Sequence, residues 1–83
     1  MAFMNQGFEI ILASPPEYEE LTAEIYFDGK FIALVNREHG LDRLEFETPG
    51  VGLDETQICR KIELKGFLEA VEVAVKRLRG EMK

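Results

Sequence analysis

Two glutamates, Glu45 and Glu47, lie two residues apart in the alternating run Arg43-Leu44-Glu45-Phe46-Glu47. On a strand this spacing puts both carboxylates on one face, roughly 6.5–7 Å apart. Such pairs can divide general acid and general base work at about that separation, but they need a pocket that pushes their pKa values apart. A chain of 83 residues has little room for one, so solvent-facing strand acids are the expected reading. The other candidates are single residues. His39, in Glu38-His39-Gly40, is the one histidine, and Ser14 and Cys59 are the one serine and the one cysteine. None stands in a nucleophile motif. His39 reads as an exposed loop residue and Cys59 as a small apolar group. Asp28-Gly29-Lys30 lacks the flanking glycines of a phosphate loop and the ligand spacing of a calcium loop, and turn chemistry accounts for it. No catalytic, cofactor-binding or metal-ligating set is expected, so the chain reads as non-enzymatic.

Charge narrows the partners. Residues 1–59 carry a net −9 and residues 60–83 a net +3, giving −6 overall and a pI near 4.7. Phosphate backbones and anionic membrane surfaces both require positive charge, so direct binding to either is disfavoured. An acidic body steers basic partners instead. Glu17, Glu19 and Glu20 form an acidic connector that reads either as a solvated link or as a recognition patch. A nucleic-acid mimic, which shows carboxylates in place of phosphates, is a further reading. Arg60, Lys61 and Lys65, with the bases near the C-terminus, balance the acidic body or hold an anion. Met1–Phe8 has neither the basic start nor the apolar run of a signal peptide. No stretch approaches the ~20 apolar residues of a membrane span, and a lone cysteine suits a reducing compartment. The expected location is the cytoplasm.

These side chains must be positioned by one small domain, residues 1–83, with an apolar fraction of 46% and no disulfide to help it. Phe8–Ala13 is short, rich in β-branched residues and stopped by Pro15-Pro16, which predicts a strand. Leu21–Phe27 and Lys30–Asn36 flank Asp28-Gly29, the signal for a two-residue hairpin with positive φ at both turn positions. A regular hairpin pairs Tyr26 with Phe31, Ile25 with Ile32, Ala23 with Leu34 and Thr22 with Val35. One face then carries Leu21, Ala23, Ile25, Ile32 and Leu34 as core. The other carries Thr22, Glu24, Tyr26, Phe31, Ala33 and Val35. Residues 43–47 predict a further strand with Leu44 and Phe46 inward, and residues 57–62 a last one. At the C-terminus the period changes: Leu64, Phe67, Leu68, Val71, Val75 and Leu78 form a stripe on a helix over about 65–79, closed by Gly80.

The expected fold is α+β: an antiparallel β-meander of four to five strands with one C-terminal helix packed on one face. One helix covers one side of the sheet. The opposite side is wet, covered by the N-terminal segment around Phe3 or by Val51, or buried in a partner. The order short strand, acidic connector, hairpin Ala23-Glu24-Ile25-Tyr26-Phe27-Asp28-Gly29-Lys30-Phe31, further strands and a Phe67-Leu68-Glu69-Ala70 helix resembles small stand-alone bacterial immunity proteins, over most of the chain. That resemblance implies a small protein that neutralises a toxin domain; it carries over no functional residue. The expected function is therefore inhibition of another, basic protein. Tyr26, Phe31 and Val35 are the expected apolar anchors, with Glu24, Glu17, Glu19 and Glu20 steering. The alternative is a homodimer formed through the same open face.

Overall fold

The computed structural model describes residues 7–80. Strands β1 (Phe8–Ala13), β2 (Thr22–Phe27), β3 (Lys30–Asn36) and β4 (Glu45–Glu47) form one antiparallel sheet in the order β1-β2-β3-β4. Helix α1 (Leu64–Leu78) packs over β1 and β2. The fold is α+β, as expected, with four strands. The segment around Phe3 lies outside the described residues, and Val51 is fully exposed.

The hairpin turns as its sequence requires: Asp28 and Gly29 both have positive φ, 53° and 79°, which matches the right-handed twist of the flanking strands. Phe27 pairs with Lys30 and Tyr26 with Phe31. Beyond that point the register departs from the regular one. A β-bulge lets Ile25 face Ala33, Glu24 face Leu34, Ala23 face Val35 and Thr22 face Asn36. The extra residue is Ile32, and both Ile32 and Ala33 are buried against the core. One inserted residue inverts every later side chain of a strand. Val35, expected on the open face, is therefore 3% exposed in the core, while Leu34 takes the open face in its place. Burying a Val or a Leu side chain is worth a similar amount, about 1.5–3 kcal/mol; with the bulge, Ala33 and Val35 are buried and Leu34 is left half-buried. Leu21, expected in the core, is exposed.

The expected strand at 57–62 does not form. Asp54 caps a 3-10 turn, Glu55–Gln57, by accepting from Thr56 N at 3.0 Å. The Thr56 hydroxyl, donating to the same oxygen at 2.7 Å, and then this backbone bond hold its carboxyl below the ordinary range. Ile58 then makes a single parallel bridge with Phe31, and Cys59 N donates to Phe31 O at 2.9 Å. Cys59 is half-buried. Arg60 pairs with Glu55 at 2.7 Å, so it balances the acidic body locally. The guanidinium holds the Glu55 carboxyl below its ordinary range.

Helix α1 approaches the sheet through small side chains. Gly66, Ala70, Ala74 and Leu78 are its buried residues, spaced four apart, so a low ridge lets the helix lie close. Phe67, Val71 and Val73 pack beside it, and Phe67 meets Phe46 edge-on at 5.7 Å between ring centroids. The predicted stripe is thus rotated: Leu64 and Leu68 stand 68% and 56% exposed. Glu63 precedes the helix without a side-chain cap, and Gly80, at φ 75°, ends it. Arg77 donates to Ile10 O at 2.7 Å. Asp28 N donates to Gly7 O at 2.8 Å. By antiparallel alternation, the Ile10 carbonyl therefore points out from the free edge of β1. Arg77 covers part of that edge, where an unpaired acceptor would invite another strand.

Candidate functional site: an acidic cleft on the open sheet face

The face away from α1 is set by the observed register. It carries Glu9, Ile11 and Ala13 from β1, Thr22, Glu24 and Tyr26 from β2, Phe31, Leu34 and Asn36 from β3, and Glu45 and Glu47 from β4. Two loops rise over it. The β1–β2 connector turns at Pro15, whose carbonyl accepts from Tyr18 N at 3.1 Å. The chain after β4 continues through Thr48, Pro49 and Gly50 to Leu53. Between them lies a cleft of about 400 Å³, lined by Pro15, Glu17, Tyr18, Glu24, Phe31, Leu34, Glu47, Thr48, Pro49, Gly50 and Leu53.

Three carboxylates reach this cleft, and two are held by hydrogen bonds. The Tyr18 hydroxyl donates to Glu47, lying 2.7 Å from either carboxylate oxygen. The bond to a negative charge makes the phenol hard to ionise, pushing its pKa up to about 12. Asn36 Nδ2 donates to the same carboxylate and, at 3.5 Å, to Glu45. The Tyr26 hydroxyl donates to Glu24 at 2.9 Å, and desolvation first, then this bond, raises its pKa. The Tyr26 ring meets Phe31 edge-on at 5.6 Å. Such a pair contributes roughly 0.5–1.5 kcal/mol beyond its buried area. Among the described residues no Lys, Arg or His forms an ion pair with Glu17, Glu24 or Glu47. The site therefore offers negative charge beside a half-buried aromatic and aliphatic floor.

The expected site residues divide. Glu17, Glu24 and Phe31 line the cleft and Tyr26 lies against it. Val35 is in the core. Glu19 and Glu20 do not line the cleft, and their backbone N–H groups donate to the Glu38 carboxylate at 3.1 and 2.7 Å. The Glu20 side chain pairs with Arg37 at 3.1 Å. Leu34, Tyr18 and Glu47 belong to the cleft although sequence reasoning did not assign them to a binding site. Leu34 was hidden by the bulge. Glu47 was visible only as half of the Glu45/Glu47 pair, whose members turn out to be joined through Asn36. His39 lies 3.7 Å from Glu45, both exposed. No group of three or more His, Cys, Asp or Glu among the described residues is placed to hold a metal ion, and no described helix is long and apolar enough to cross a membrane. No protein-family model, curated protein or solved structure matches the chain.

Proposed function

We propose that this protein is a non-enzymatic binding domain, of the inhibitor or immunity type, that neutralises a basic partner protein through its open sheet face. The observation that supports this reading is the cleft itself. Three carboxylates, with no cation paired to them among the described residues, stand around Phe31 and Leu34, with Tyr26 alongside. Half-buried aromatic side chains at the centre of a polar surround are typical binding anchors, and the charge selects a positive partner. Two copies stacked through this face would set Glu9, Glu24 and Glu47 against their own kind, which disfavours a homodimer here. A nucleic-acid mimic would present carboxylates in a row, whereas these ring an apolar centre.

The test uses the tagged protein as bait in lysate of its source, beside Tyr26→Ala/Phe31→Ala. A stoichiometric basic protein that is held at low salt, released at high salt, lost with the double variant and inhibited by the wild type supports the proposal. Equal retention by both baits removes the assigned surface. A blank from both, with the bait eluting as a stable dimer, removes the inhibitor reading.

A further inference from the structure

Resting on that reading, we infer that the cleft receives an arginine side chain from an extended, basic segment of the partner. The walls and the charge together fix this chemistry. Leu34 and Phe31 form an apolar floor, Pro15 and Pro49 flank it, and Glu17, Glu24 and Glu47 bring carboxylates to the same space. An alkyl stem ending in a cation matches both halves at once, burying methylenes while the head stays at the carboxylates. The volume, about 400 Å³, holds one long side chain with the backbone that carries it. Arginine fits better than lysine. Its planar, weakly hydrated guanidinium stacks on an aromatic face and can donate to two carboxylates through one rigid fork, whereas an ammonium is compact and strongly hydrated.

The carboxylates are also prepared for such a guest. Glu47 is fixed by Tyr18 and Asn36, and Glu24 by Tyr26. Each donor uses one part of a group that can accept several hydrogen bonds, leaving capacity for a guanidinium. Fixing the acceptors beforehand reduces what binding must order. The charge is local as well. Outside the cleft, the connector's Glu20 pairs with Arg37, and the carboxylate of Glu38, just past β3, accepts from the connector's backbone.

The experiment is an NMR titration of the full chain with N-acetyl-arginine methylamide. The lysine and citrulline analogues and free arginine are run beside it. Shifts should be confined to cleft residues, and the arginine probe should bind at least about threefold more tightly than the lysine probe. Citrulline, which keeps the shape and loses the charge, should leave the spectrum unchanged. Free arginine, which sets a hydrated carboxylate and ammonium where the partner's uncharged backbone would lie, should bind more weakly than the capped probe. Glu17→Gln/Glu24→Gln should weaken binding at least about fivefold. Glu19→Gln/Asp42→Asn removes the same net charge outside the cleft and should change it by less than about twofold. Equal weakening by both pairs would show general attraction to an acidic surface and overturn the inference. Tighter binding of lysine or of free arginine would overturn it too. The two proposals fail separately. A partner that needs Tyr26 and Phe31 but tolerates Glu17→Gln/Glu24→Gln removes the arginine slot alone. A probe seated in the cleft with no inhibited partner removes the inhibitor reading alone.

Discussion

Tyr18 and Glu47 show how little of a residue's role is written in its type. Tyr18 sits between acidic neighbours in the connector, yet its hydroxyl crosses 29 positions to meet Glu47. The folded state holds the phenolic proton more tightly than the unfolded chain does, since its pKa rises from the ordinary value of 10.0 to about 12. The bond therefore stabilises the fold fully below about pH 10, and that contribution is lost as the pH climbs through the folded value. Tyrosinate absorbance should appear late in a pH titration, and Glu47→Gln should bring Tyr18 ionisation back toward the ordinary value. Tyr18→Phe should flatten the fall in melting temperature over this alkaline window. A Glu47→Gln titration that overlays the wild type would refute the assignment.

At the scale of elements, the bulge in β3 decides which side chains line the cleft and which hold the core. A straight hairpin would bury Leu34 and expose Val35; the observed one does the reverse. Val35→Ala should cost about 2–3 kcal/mol through lost burial and the cavity left behind. Leu34→Ala should cost under about 1 kcal/mol, because its side chain faces the cleft. Urea unfolding of the two variants separates the registers, and a larger cost at Leu34 would restore the regular pairing. The hairpin turn was legible because Asp-Gly has a strong local preference for positive φ. The bulge was not, since nothing in Phe31-Ile32-Ala33 favours it over regular pairing. The place of Ile32, Ala33 and Val35 in the core cluster and the bridge of Ile58 beside Phe31 distinguish the two. The helix was legible for a similar reason, as its period is local. Its rotation was not, because small residues such as Ala70 and Ala74 carry little hydrophobic signal and still make the closest contact.

The whole molecule is joined by three consecutive residues at the end of β3. Asn36, 2% exposed, donates to Glu47 and Glu45 of β4, and its Oδ1 accepts from Glu38 N at 3.1 Å. Arg37 pairs with Glu20 of the connector and donates to Leu78 O at the end of α1 at 3.0 Å. Glu38 accepts the backbone of the connector. The ion pairs found are exposed, and each contributes at most about 1 kcal/mol; the buried amide matters more. Asn36→Ala removes a buried amide together with its bonds to the half-buried Glu47 carboxylate and Glu38 N–H, and should cost about 2 kcal/mol. It should also loosen the connector that walls the cleft. Thermal unfolding measures the first effect and amide exchange at Glu19 and Glu20 the second. Exchange unchanged there would mean that the connector stands without this hub.

What the sequence determined by itself was whatever depends on neighbours along the chain. The acidic balance, the Asp28-Gly29 turn, the stop at Pro15-Pro16, the helical period and the α+β order of elements all follow from local preference and composition. The two aromatic residues of the open face, Tyr26 and Phe31, were also in reach, because they lie next to the turn and ahead of the bulge. Tertiary structure alone decided the side of the sheet on which Leu34 and Val35 stand. It also put a 3-10 turn at Glu55–Gln57 and a single bridge at Ile58 where a strand over 57–62 was expected, and gathered Glu17, Glu24 and Glu47 from three segments into one cleft. These are outcomes of packing between residues distant in sequence, where a one-residue shift exchanges core for surface and no local preference opposes it.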